Sequence, residues 1–131
     1  MTAARKGIES RIIVSGDNFP IVHWAHLWVA RSLVRAGVRI FIGASPFDHS
    51  KLMVVDKAWC FVGSSNWDPR SLAMNFEFDL EVHDSNMAIW LEGFIDERIE
   101  VAKELTAFEV ESTSTIAMVR NGLARIGCSY L

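Results

Sequence analysis

Two short apolar runs and the segment between them constrain this chain most. Arg11 to Ser15 (RIIVS) and Val38 to Ile42 (VRIFI) have the length and β-branched content of buried strands, and the first is followed by the loop signal Gly16-Asp17-Asn18. Between them, Trp24, Leu27, Trp28, Leu33 and Val34 recur at roughly helical spacing from Ile21 to Arg35, with Pro20 to open the helix and Ala36-Gly37 to stop it. A strand, a helix of that length and a second strand make a βαβ unit, so the two strands are expected to be parallel.

The rest of the chain adds antiparallel elements. Ser50 to Val55 and Ala58 to Val62 flank the polar pair Asp56-Lys57, which predicts a β-hairpin. Phe76 to His83 alternates strictly, apolar at Phe76, Phe78, Leu80 and Val82 and acidic at Glu77, Asp79 and Glu81, which predicts one strand with one face in the core. Ser85 is read as the cap of a helix running to about Leu105. Its apolar stripe is Met87, Trp90, Leu91, Phe94, Ile95, Ile99 and Ala102, with Arg98 at the edge. Ala3 to Lys6, closed by Gly7, reads as the last turn of a helix, and Ile116 to Ile126 as a final amphipathic one. The expectation is an α/β layered domain, a mixed sheet with flanking helices, over residues 1–131.

Composition agrees with a packed domain. Of 131 residues 50% are hydrophobic, which excludes intrinsic disorder. The longest apolar runs are only a few residues, too short to span a bilayer, and residues 1–10 hold no secretory apolar core. Cys60 and Cys128 have no metal-like spacing and read as buried free thiols. Charge is uneven. Residues 1–56 carry seven Lys/Arg against four Asp/Glu, and residues 57–131 six against twelve. That is a poor footprint for duplex nucleic acid, whose binding rests on phosphate neutralisation, so nucleic acid is not expected as a partner. The acidic stretch from Glu92 to Glu111 reads as a solvated helix face.

Chemistry concentrates in His49-Ser50-Lys51, Asp56 and Gly63-Ser64-Ser65-Asn66. His49 and Lys51 are two apart on a strand, so they share a face about 7 Å from one another. An imidazole beside an ammonium suits an anionic phosphoryl group. The hairpin brings Gly63 to Asn66 back alongside His49. Gly63 leaves room for a substrate, and Ser64 and Asn66 add neutral donors. Asp56 has the opposite parity to His49 and lies far along the strand, so it reads as a turn-anchoring residue. His23 and His26 are three apart on a helix, but with no third ligand nearby they read as ordinary histidines. Trp24 and Trp28 read as core, and Trp67-Asp68-Pro69-Arg70 as a structured turn. Arg120 and Arg125 mark a last segment that reads as packed on the domain rather than on a membrane.

The pattern H-x-K-x4-D-x6-G-S-x-N resembles the signature of the phospholipase D superfamily. Within it, the run HSKLMVVDKAWCFVGSSNWDPRSLAMNFEFDLEVHD is similar to the second signature repeat of bacterial cardiolipin synthases, and AARKGIESRIIV and LVRAGVRIF extend the likeness. The resemblance implies a phospholipase D-like half-domain, truncated at its amino-terminal edge, with residues 106–131 as a helical extension. It further implies that two such motifs share one site, one histidine attacking phosphorus and the other handling protons. His49 takes the second-motif position, general acid/base. Lys51, Ser64 and Asn66 hold phosphoryl oxygens, and Glu77 orients the histidine.

Two motifs normally share one chain in that family, and here there is one. The resemblance therefore implies a carboxy-terminal piece of a larger enzyme, completed by a second half in cis or by homodimerisation. Its reaction would join two phosphatidylglycerol molecules into cardiolipin and glycerol, with an anionic phospholipid as substrate. No metal or other cofactor is expected, because histidine and lysine supply the charge and proton chemistry. Location at the cytoplasmic membrane surface, through the full-length enzyme, follows from the same likeness. The alternatives are a homodimeric phosphodiesterase or nuclease using His49, and an inactive fragment.

Overall fold

In the computed structural model, which describes residues 2–16, 20–44, 46, 48–66, 75–112 and 114–128, the chain groups into two compact units. The first comprises 1–47 and 102–131, the second 48–101. Asp17, Asn18 and the run Trp67-Asp68-Pro69-Arg70 lie outside the described residues, as do the side chains of His23, His26, Arg125 and Cys128.

The first unit opens with the single turn α1 (Thr2–Arg5), then β1 (Arg11–Val14), α2 (Pro20–Arg35) and β2 (Arg39–Ile42). β1 and β2 pair in parallel, Arg11 beside Arg39 and Val14 beside Ile42, as the βαβ reading requires. The stop after α2 is a Schellman closure: Val38 N donates to Leu33 O at 3.1 Å and Gly37 N to Val34 O at 2.9 Å. Gly37 holds φ +90°, a left-handed conformation that side chains resist. Val38 then drops straight into the core with Ala30 and Ile40, against which Ala4, Leu33, Val34 and Leu105 pack.

The segment after residue 100 departs from the single long helix expected to reach Leu105. A two-residue strand (β6, Lys103–Glu104) crosses antiparallel to β2, and Leu105 N donates to Ile40 O at 2.8 Å. Arg39 grips Glu104 with two bonds, 2.8 and 2.9 Å. A short helix (Ala107–Glu111) follows, closed by a capping box between Thr106 and Glu109, and then a longer one (Thr115–Cys128) lies along α2. The acidic stretch is therefore no single solvated helix face. Glu92, Glu104, Glu109 and Glu111 sit on three elements and pair with Lys57, Arg39, Lys103 and Arg35.

The second unit is an antiparallel sheet of β3 (Lys51–Val55), β4 (Trp59–Gly63) and β5 (Asp79–Val82), with the helix α3 (Ser85–Glu100) against it. Among the described residues, the strands thus form two three-stranded sheets, one per unit, the first mixed and the second antiparallel, in the α/β architecture with flanking helices that the sequence implies. Asp84, not Ser85, caps α3, its side chain accepting from Met87 N at 2.7 Å.

The core of this unit is Cys60, Ala88 and Leu91, with Leu52, Val54, Val62, Val82, Phe94 and Ile95 packed on it. Cys60 is a free thiol, fully buried. Two expectations fail here. The helix face that packs is centred on Ala88 and Leu91, which leaves Met87 and Trp90 exposed. On the sheet side, Leu52, Val54, Val62 and Val82 pack on this cluster. Along β5, the outer strand of the sheet, Val82 is packed, but Leu80 is 50% exposed and Phe78 70%. Regular pairing also begins only at Asp79, leaving Phe76 to Phe78 outside the strand. Among the described residues, no helix is long and apolar enough to cross a membrane.

Candidate active site

The sheet register of the second unit gathers the motif. Lys51 pairs with Gly63, and Gly63 with Asp79, so three chain segments meet in one row at one end of the sheet. His49 lies two residues before that row, Ser64 and Asn66 just after it, and Glu77 two residues before Asp79. Asp56 is at the opposite end of the hairpin. There Asp56 and Lys57 take φ of 51° and 54°, and Ala58 N donates to Val55 O at 3.1 Å. Two consecutive left-handed residues make the turn whose twist suits a hairpin, and aspartate tolerates that conformation better than most residues.

His49 is exposed, and its backbone is held on both sides. Asp48 accepts from Ser50 N at 2.8 Å through Oδ1, a local turn that spans the histidine. Its Oδ2 accepts from Arg98 Nε at 2.8 Å. Lys51 Nζ donates to the His49 carbonyl at 2.7 Å. The Asp48 carboxyl is pulled down to about 2, first by hydrogen bonding from Ser50 and then from Arg98. Partial burial lowers the Lys51 ammonium from its usual range, while the carboxylates of Glu77 and Asp48 act to keep it charged. A cation that has shed part of its water and faces a limited anionic field is suited to a phosphoryl oxygen.

Ser64 and Glu77 are joined directly: the serine hydroxyl donates to Glu77 Oε2 at 2.6 Å. Ser64 Oγ in turn accepts from Phe78 N at 3.0 Å, and Asn75 Nδ2 donates to Glu77 Oε1 at 3.3 Å. The single hydroxyl hydrogen of Ser64 therefore lies on Glu77, and donation to a ligand requires the hydroxyl to rotate. Gly63 has a neighbour that the sequence did not suggest. A Cβ there would meet the Asp79 carboxylate, standing 2.8 Å from its Cγ. Asp79 folds over the glycine to accept from Ser65 N at 3.2 Å and from the Ser65 hydroxyl. The space above Gly63 is thus filled by this chain's own side chain.

Sequence reasoning missed four residues of this arrangement. In the sequence Asp79 is one of three alternating acidic positions opposite the core face, and Ser65 is the variable position of the motif. Arg98 was only the edge of a helical stripe, and Asp48 drew no notice. The available signals were adjacency, Asp48 beside His49, and an arginine set four residues after Phe94 on a helix. The guanidinium stacks on the Phe94 ring, 3.3 Å from its centroid. Among the described residues, no three His, Cys, Asp or Glu side chains converge as metal ligands.

Residues 1–99 match the family described as the cardiolipin synthase, phospholipase D-like domain. The chain belongs to that family. This phospholipase D-like domain is 34% identical over 126 residues to a cardiolipin synthase of Staphylococcus aureus, covering 95% of this chain and 25% of that protein. It is 34% identical over 125 residues to cardiolipin synthase A of Pseudomonas putida, covering 95% and 26%. With cardiolipin synthase 1 of Staphylococcus epidermidis the identity is 30% over 125 residues, again 95% of this chain and 26% of the relative. The chain spans about a quarter of the length of these curated relatives.

Proposed function

We propose that this domain supplies one half of a phosphatidyltransferase site that makes cardiolipin from two molecules of phosphatidylglycerol. The observation that carries the reading is the clustering, in one unit, of a half-buried Lys51 with His49 on one side and the Ser64–Glu77 pair on the other. Family membership and the names of the relatives support it.

In the first step, a histidine of the other half attacks the phosphorus of phosphatidylglycerol. The P–O bond to the headgroup glycerol breaks as the P–N bond forms, and protonated His49 gives its proton to the departing oxygen. In the second step, neutral His49 takes the proton from a hydroxyl of a second phosphatidylglycerol. That oxygen attacks the phosphohistidine and releases the histidine. Lys51 and Asn66 hold the non-bridging oxygens, joined by Ser64 once its hydroxyl turns from Glu77. Glu77 balances the charge around Lys51 and His49. The missing half comes from the same polypeptide or from a second copy, and the substrate is met at the cytoplasmic membrane surface.

The test uses the purified chain, alone and with an added amino-terminal half from a relative, presented with phosphatidylglycerol in mixed micelles or with single-stranded DNA. Cardiolipin and glycerol in equal amounts, abolished by His49→Asn, are expected. Hydrolysis of DNA with no lipid product would replace this reading by a nuclease.

A further inference from the structure

We propose that Arg98 and Asp48 form a tether that positions His49 for proton transfer, a role that rests on the reading of His49 given above. The contacts form a chain from the helix to the histidine. Arg98 projects from α3, where its Nη1 donates to Phe94 O at 3.1 Å and its guanidinium lies on the Phe94 ring. Its Nε reaches back to Asp48 Oδ2, and Asp48 Oδ1 closes on Ser50 N. Phe94 is itself packed on the Cys60–Leu91 core. Asp48, the residue before His49, thereby ties the His49 segment to the Cys60–Leu91 core.

The chemistry of the pair suits positioning rather than stability alone. The two side chains are 37% and 39% exposed, and an ion pair so exposed contributes little to stability. This pair is better defined than most. The guanidinium is fixed in its plane by the ring beneath it and the carbonyl beside it, so it offers Asp48 one direction of approach. The carboxylate is fixed in turn by a bond on each oxygen. Arg98 is engaged by Asp48 and the Phe94 carbonyl, and Asp48 is an anion that a phosphoryl group would repel. Their effect on catalysis must pass through His49. A general acid works within hydrogen-bond reach of its target, and misplacement by about 1 Å costs on the order of a hundredfold in rate.

The experiment compares Arg98→Ala, Arg98→Lys, Asp48→Asn and the double variant Arg98→Ala/Asp48→Asn, in the full chain complemented as above. Turnover of phosphatidylglycerol is measured together with NMR order parameters and hydrogen exchange at His49 and Ser50. Arg98→Ala should lower kcat ten- to a hundredfold with KM within about twofold, and should loosen the His49 backbone. Arg98→Lys should recover only part, because an ammonium cannot make the planar set of contacts. The double variant should be little worse than the poorer single one, since both break one tether. Unchanged kcat in folded variants, or kcat losses that multiply in the double variant, would overturn the proposal. If the complemented wild-type chain forms no cardiolipin, the functional reading fails. NMR then still decides whether the tether fixes His49: unaltered order at His49 in Arg98→Ala overturns it, and loosened order upholds it.

Discussion

Asp79 lies in the space that a side chain at Gly63 would need, and it uses that position to hold Ser65. The glycine of the motif makes room for an aspartate two strands' width from Lys51 in the same row. The consequence is a rigid link between β5 and the Ser64–Asn66 segment, made of the bonds from Ser65 N and Oγ.

Gly63→Ala should therefore destabilise the chain by about 1–3 kcal/mol, the range for overpacking together with the loss of Asp79's hydrogen bonds. The loss should not be additive with removal of Asp79. A Gly63→Ala/Asp79→Gly variant should be more stable than the sum of the two single losses, because the collision disappears with the carboxylate. Urea unfolding of the four proteins measures this. Additive losses would show that the alanine strains something other than Asp79.

How much of this was legible in the sequence depends on whether the cause was local. The βαβ unit, the hairpin and the Gly37 stop follow from spacing and turn chemistry within a few residues, and each stands where expected. The motif's convergence also followed, since hairpin register alone brings Lys51 opposite Gly63. Long-range causes were not visible. Phe78 and Leu80 are exposed while Val82 is packed, and alternation states only which face the three share. The roles of Asp79 and Arg98 depend on partners 14 and 50 residues away. A charged residue at an alternating strand position or a stripe edge has the same sequence signal whether it is solvated or bonded.

The hairpin turn gives a prediction of opposite sign. Lys57 holds φ 54°, a conformation that costs an L-residue roughly 1–2 kcal/mol. Its ion pair with Glu92, 3.4 Å long with the lysine 64% exposed, returns about 0–1 kcal/mol. Glycine gives up the pair and adds unfolded-state entropy, about 0.5–1 kcal/mol, but removes the backbone strain. Lys57→Gly should thus be neutral to stabilising by up to about 1 kcal/mol, and Asp56→Asn close to neutral, because asparagine also accepts the left-handed region. Asp56→Val should lower the thermal midpoint clearly. A Lys57→Gly protein melting well below the wild type would mean that the Glu92 pair outweighs the turn.

Acid should weaken the second unit through Asp48. Its carboxyl sits at about 2 in the folded chain against 3.8 unperturbed, held there by Ser50 and Arg98. A lowered folded value means stability that is complete above about pH 3.8 and is lost as pH falls through about 2. Asp48→Asn should accordingly destabilise the chain at pH 7, by less at pH 3, and scarcely at all at pH 2. Glu109, also near 2 through Lys103 and Thr106, should behave alike in Glu109→Gln. Unfolding free energies at those three pH values test both; a penalty for Asp48→Asn that persists undiminished at pH 2 would show that its charge is not what matters.

The last prediction separates the two histidine roles. If His49 protonates the departing glycerol oxygen, its loss should hurt most where the leaving group is poor. General acid catalysis typically contributes about 10²–10⁴-fold, and p-nitrophenolate needs little of it. In the complemented enzyme, His49→Asn should therefore nearly abolish turnover of phosphatidylglycerol. Formation of a phosphohistidine from a p-nitrophenyl phosphodiester should survive far better, with the phosphoryl group on the histidine of the other half. Lys51→Ala should impair both substrates alike, because the charge on the non-bridging oxygens is the same whichever group departs. A burst experiment with both substrates, followed by mapping of the labelled residue, reads all of this at once. A phosphoryl group found on His49 itself would reverse the assignment, making His49 the nucleophile and moving the acid to the other half.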